Sequence, residues 1–139
     1  MKMANKILTF PDASVLIYAA TKPTAQTFAR RMRALQVFND PDREFVASEF
    51  LRLEVLPIAK FFGKKREVKF YETFFAGAAH WADVAASISP ALELAAKFGL
   101  GALDALHVTA AGQFGAELVS AEKPTKPIYR AYSNISSIY

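Results

Sequence analysis

The sequence predicts an α/β sandwich built on a mostly parallel sheet. Short, β-rich apolar runs recur at Lys6–Phe10, Glu44–Ala47 and Leu118–Ser120. Longer segments with helical periodicity separate them, and turn or cap residues mark most junctions. At 139 residues the chain has the length of one domain, and residues 1–139 are read as one.

The elements follow in order. The first strand stops at Pro11-Asp12, and Ser14–Ala20 reads as a short helix. Pro23 and Thr24 open a second helix to Val37, and Asn39-Asp40-Pro41-Asp42 is a turn cluster before the second strand. Ser48 suits the N-cap of a third helix that runs to Phe61 and closes at Gly63, with a kink or early break expected at Pro57. Lys65–Trp81 reads as a fourth helix with Phe70, Tyr71, Phe74 and Phe75 on one side, and Ala82–Ala86 as a weak strand. Pro90 suits the first turn of a fifth helix ending at Gly99, and Ala102–Phe114 is a sixth. Beyond the Leu118–Ser120 strand and the Pro124–Pro127 loop, Ile128–Tyr132 and Ile135–Tyr139 read as edge strands.

Composition excludes several classes. Hydrophobic residues make up 53% and charged residues 22%, which is not the balance of a disordered chain. The absence of cysteine removes disulfides, thiolate metal sites and thiol nucleophiles, and fits a reducing compartment. The longest stretch without Asp, Glu, Lys or Arg is Ala105–Ala116, short of the roughly 20 residues a spanning helix needs. Met1–Phe10 lacks the apolar core and cleavage site of a secretory signal, so a cytoplasmic protein with no membrane partner is expected. The net charge of +4 favours an anionic partner only mildly.

Four carboxylates stand out from the thirteen acids. Asp12 follows the first strand, at the sheet edge where open α/β folds bind ligands; an N-cap role accounts for it equally well. Ser14 can join the same site or be the cap itself. On a helical wheel Glu54 falls between Phe50 and Ile58, on the apolar side with Leu51, where an unpaired carboxylate is costly. Asp104 falls among His107, Val108 and Ala111 in the sixth helix, although a first-turn acid also suits the helix dipole. Glu122 follows the Leu118–Ser120 strand and reaches the same edge, or is a plain loop acid beside Lys123. Together the four can converge on one acidic pocket, which demands a compensating cation. Ligation by oxygen alone selects a hard ion, Mg²⁺ or Mn²⁺, which activates water and stabilises charge developing on a phosphate.

In this pattern the chain resembles the PIN-domain metal-dependent nucleases, and among them the VapC-like toxins. Asp12-Ala13-Ser14-Val15-Leu16-Ile17 resembles the first motif of that family, Ser48–Glu54 the second, and Leu103-Asp104-Ala105-Leu106-His107 the third. Leu118-Val119-Ser120-Ala121-Glu122 is similar to the fourth, usually Thr-x-Asp, with Ser120 for Thr and the longer Glu122 for Asp. The resemblance implies a three-layer α/β/α sandwich and one or two Mg²⁺ or Mn²⁺ ions. It also implies RNA phosphodiester hydrolysis, a homodimer and a small antitoxin partner. In that reading Asp12, Glu54, Asp104 and Glu122 are the catalytic and metal-holding residues, supported by Ser14, Ser120 and His107. His107 either orients Asp104 or packs in the core.

Basic residues cluster at Arg30, Arg31 and Arg33, around Gly63 (Lys60, Lys64, Lys65, Arg66, Lys69), and at Lys123, Lys126 and Arg130. Each cluster is either a solubilising face or a phosphate-holding rim, and Lys64, Lys65 and Arg66 are the expected RNA contacts. Other phosphate-handling folds fit less well. A HAD-type phosphatase needs an Asp where Ser14 stands, a receiver domain needs an acidic pair where Asp12 stands alone, and Pro11–Ile17 has no phosphate-cradling Gly. The competing reading is a non-catalytic PIN-like protein that binds RNA or regulates a partner.

Overall fold

The computed structural model describes residues 5–139. Five strands form the central sheet: β1 (Ile7–Pro11), β2 (Arg43–Ala47), β3 (His80–Trp81), β4 (Glu117–Ser120) and β5 (Ile135–Ser137). Their order is β3-β2-β1-β4-β5, and every pairing is parallel. Among the described residues seven helices accompany them: α1 (Ala13–Ala20), α2 (Phe28–Asn39), α3 (Glu49–Phe61), α4 (Lys65–Gly77), α5 (Val84–Phe98), α6 (Ala102–Phe114) and α7 (Ile128–Ala131).

Alternation along the strands covers both sheet faces, as a parallel sheet requires. Phe10 packs its ring against His107 of α6 at 5.5 Å between centroids, and Leu118 joins Val108, Ala111 and Ile128. Val119, the next residue, instead meets Val15, Ala19, Ala34 and Val37 from α1 and α2. The expected sandwich is therefore present, with a sheet that is wholly rather than mostly parallel.

Several elements differ from the sequence reading, each for a local reason. The second helix begins at Phe28, not Thr24. Thr24 N–H donates to Thr27 Oγ1 and Thr27 N–H to Thr24 O, so the two threonines close a turn of their own. Pro57 neither breaks nor shortens α3, and Pro90 lies inside α5 rather than in its first turn, because Asp83 caps that helix by accepting from Ala86 N–H at 2.9 Å. Each proline orphans a carbonyl four residues back; those carbonyls belong to Leu53 and Ala86, both exposed residues.

The fourth helix stops at Gly77, and the strand expected at Ala82–Ala86 lies earlier, at His80–Trp81. Ala79 N–H donates to Phe45 O and Ala82 N–H to Ala47 O, so the ladder of β2 captures this segment. In the expected edge strand Ile128–Tyr132, Ile128–Ala131 is helix and only Tyr132 is extended. Pro127 already has helical dihedrals, and Arg130 N–H turns back to its carbonyl at 2.9 Å.

At the end of the sheet away from Asp12, one arginine stitches strands together. Arg43 Nη1 donates to Thr9 Oγ1 on β1 at 2.8 Å and to Glu117 Oε1 on β4 at 2.5 Å. Ser136 Oγ of β5 donates to the other Glu117 oxygen. Arg43 Nε lies 3.3 Å from Asp40 without hydrogen-bond alignment, so Glu117 is the effective partner. Arg43→Leu leaves the mostly buried Glu117 carboxylate with one donor. It is expected to cost about 1–3 kcal/mol, read as a lower urea midpoint at unchanged slope.

Candidate functional site

The strand order reverses at β1. The chain leaves β1 for β2 and β3 on one side, then crosses to β4 and β5 on the other. Ligands of open parallel sheets bind beyond the carboxyl ends of strands at such a reversal. Asp12 stands there, directly after β1, and its backbone N–H donates to Val119 O of β4 at 3.0 Å.

Asp12 is both cap and site residue. Its Oδ1 accepts from Val15 N–H at 3.2 Å, starting α1, and from Ser14 Oγ at 2.5 Å. Ser14 thus donates to the cap, and its hydroxyl also accepts from Ala121 N–H at 3.1 Å, tying the start of α1 to the loop after β4. The Asp12 side chain is only 5% exposed. Burial pushes its pKa up, against hydrogen bonds from Ser14 and Ser120, the nearby His107 and the Val15 N–H.

Ser120, fully buried at the end of β4, accepts from Glu122 N–H at 3.0 Å and so turns the chain back over the crevice. The Glu122 carbonyl accepts from Tyr129 Oη at 2.9 Å and Ser137 Oγ at 2.8 Å. Its backbone is therefore pinned by three hydroxyls.

Asp104 occupies the first turn of α6, half-buried. Burial raises its pKa; His107 acts in the opposite sense, and the negative charges of Glu122 and Glu54 push it up again. Asp104 therefore sits within electrostatic reach of both glutamates. Glu54 is held by α6 itself, with His107 Nε2 2.8 Å from Glu54 Oε1. An ionised carboxylate only accepts, so the Nε2–H donates.

This corrects the expected role of His107, which bonds Glu54 rather than Asp104 while also packing in the core against Phe10. The wheel for α3 is corrected too. Its buried face is Leu51, Val55, Leu56 and Ala59, and Ile58 is 55% exposed. Glu54 sits on the flank of that face, which is why it can reach the crevice.

The electrostatic couplings make one neighbourhood. Asp12 senses His107, Asp104 senses Glu54 and Glu122, and Tyr129 senses Asp12 and Glu122. A family model, PIN domain, matches residues 9–126. The chain belongs to the PIN domain family. Comparison with curated proteins gives no match. Among solved structures, the chain is similar to a chain of a toxin-antitoxin complex from Klebsiella pneumoniae, with TM-score 0.67 and 17% identity over 94% of this chain and 98% of that one. It is also similar to a chain of VapBC2 from Rickettsia felis bound to a DNA fragment from their promoter, with TM-score 0.62 and 15% identity over the same shares. At these identities the likeness is one of fold.

The donor set of this PIN domain suits a hard divalent cation. Among the described residues Asp12, Asp104 and Glu122 have no Lys or Arg partner, and Glu54 has only His107. Buried or clustered carboxylates without a cation are strained electrostatically, which the upward shifts of Asp12 and Asp104 register. Among the described residues no three His, Asp or Glu side chains lie together as a group that could hold a metal ion as they stand.

The expected RNA contacts lie elsewhere. Lys64, Lys65 and Arg66 line a groove with Ala20 and Lys22, at the end of α1 opposite Asp12. The eight residues of α1 span about 12 Å. Tyr129 and Ser137, by contrast, were not singled out in the sequence. Tyr129 reaches Glu122 because Ile128–Ala131 is a helix, and no local pattern announces that.

Proposed function

We propose that this PIN domain, residues 1–139, is a Mg²⁺- or Mn²⁺-dependent endoribonuclease and the toxin of a toxin-antitoxin pair acting in the cytoplasm. What supports this is Asp12 at the sheet reversal and the coupling of Asp104 to Glu54 and Glu122, with no Lys or Arg partner for any of the four among the described residues. Asp12, Asp104 and Glu54 would hold the ion, with Glu122 in a supporting or water-mediated position. A bound divalent ion supplies an activated water and offsets charge on the phosphate. The protein's own contribution is orientation: Ser14 and Ser120 fix Asp12, His107 fixes Glu54, and Tyr129 and Ser137 hold the backbone of Glu122.

A protein partner is supported by a groove of about 680 Å³ between α1, α2 and α4. Phe38, Phe45, Phe70 and Phe74 line it, and Arg31, Arg66 and Lys69 edge it without an acid. That chemistry fits an acidic amphipathic segment such as a small antitoxin would offer. Exposed Leu53, Ile58, Phe61 and Phe62 on and after α3 support a homodimer. No helix among the described residues is long and apolar enough to cross a membrane.

The test is cleavage of a mixed RNA substrate by the purified chain with Mn²⁺ or Mg²⁺, and with EDTA. Turnover that requires the ion is expected, and Glu122→Gln should lower it by less than about tenfold, short of the 10–100-fold typical of groups that support a ligand. RNA affinity without metal-dependent turnover would favour the non-catalytic reading instead.

A further inference from the structure

The acidic crevice itself repels a polyanion, so its substrate needs cations close by. Three residues outside the crevice meet at its β5 side. The Arg30 guanidinium lies 4.0 Å from the centroid of the Tyr139 ring, and Lys123 Nζ lies 5.1 Å from the same centroid. Arg30 is steadied by Tyr18, whose hydroxyl accepts from Nη1 at 3.3 Å.

The ring is fixed relative to the crevice by its backbone. Ile138 N–H donates to Ser120 O at 2.9 Å, Arg33 Nε donates to Ile138 O at 2.6 Å, and Ser137 Oγ donates to the Glu122 carbonyl. Lys123 follows Glu122 directly. The cluster is therefore tied by hydrogen bonds to the loop that carries the fourth acid.

Two features mark it as more than packing. Tyr139 is 46% exposed, and among the described residues neither Arg30 nor Lys123 has a carboxylate partner. A flat ring flanked by two uncompensated cations matches a nucleotide, whose base stacks on an aromatic face while its phosphates take the cations.

We propose that Tyr139, Arg30 and Lys123 form a subsite for one nucleotide of a single-stranded RNA beside the acidic crevice, an assignment that rests on the ribonuclease reading. The base lies on the Tyr139 ring, and Lys123, exposed and farther from the ring than Arg30, swings from the ring to a phosphate. An exposed cation–π contact is weak enough to be exchanged in this way. This places the RNA path on the β4–β5 side, nearer the acids than Lys64, Lys65 and Arg66.

The experiment measures binding of a labelled single-stranded RNA in EDTA across a salt series, so that neither metal nor cleavage intervenes. Tyr139→Ala is expected to weaken binding about 5- to 100-fold and Tyr139→Phe by less than about twofold, since stacking needs the ring and not the hydroxyl. Arg30→Gln with Lys123→Gln should reduce the slope of log affinity against log salt by about 1.4, two single-strand phosphate contacts. A Lys64→Gln, Lys65→Gln, Arg66→Gln triple variant should change that slope less. If the parent chain binds RNA but the Tyr139 and Arg30/Lys123 variants keep its affinity and slope, the subsite is wrong and the ribonuclease reading stands. A parent chain with no RNA affinity at low salt in EDTA overturns the subsite, and cleavage with Mn²⁺ decides the ribonuclease reading separately.

Discussion

Asp12→Asn and Asp104→Asn are each expected to lower metal-dependent RNA cleavage by about a hundredfold or more while leaving the fold at least as stable. The activity estimate is a lower bound, because losing an outer partner of a metal ligand already costs about 10–100-fold. The stability half follows from burial. The Asp12 carboxyl is nearly enclosed and its pKa is raised, first by desolvation, so the folded chain binds the proton more tightly than the unfolded one. Its contribution to stability is therefore complete below the ordinary aspartate value of about 3.9 and is lost as pH climbs through the raised folded-state value.

Asparagine carries no charge to bury, and it caps a helix as well as aspartate does. Its Oδ1 can still accept from Val15 N–H and Ser14 Oγ. Metal-free melting temperatures of parent and Asp12→Asn should thus diverge, in favour of the variant, as pH rises above about 4. Asp104→Asn should show the same sign, since burial and the two glutamates both disfavour its charge. Added Mn²⁺ should reverse the order by stabilising the parent alone. Parent-level cleavage in both variants would remove these residues from the chemistry.

What the sequence made legible was the part written in local chemistry. Asp12 and Ser48 read as caps because capping needs only a short polar side chain before an apolar run, and both accept from N–H groups three residues on. Glu54 and Asp104 read as anomalies because the helical period places side chains independently of the rest of the fold. Edges of elements were less legible. Where Gly77 ends α4 and His80 begins β3 depends on the ladder offered by β2, in which Val46 pairs with His80 and Ala47 with Trp81. The α3 wheel misled because Ile58, apolar by type, faces solvent. The bond from His107 to Glu54, 53 residues apart, belongs to tertiary structure and has no signature in either motif.

That bond defines the second large effect. His107 is 2% exposed, donates from Nε2 to Glu54, and leaves Nδ1 buried without a partner. A purely structural histidine and a positioning one predict different outcomes for His107→Phe. Phenylalanine refills most of the space against Phe10 and removes the orphaned nitrogen, so fold stability should change by less than about 1.5 kcal/mol, as for a volume-conserving swap. Glu54, however, loses its only hydrogen-bonding partner among the described residues, and with it the orientation that brings its carboxylate toward Asp104. Cleavage and Mn²⁺ affinity should then fall by about 10–100-fold, the usual cost of losing a group that orients a ligand. Calorimetric Mn²⁺ titration read beside thermal melting separates the two roles. A variant that melts as the parent does but binds Mn²⁺ weakly establishes positioning through Glu54. Parent-level Mn²⁺ affinity and cleavage would confine His107 to the core.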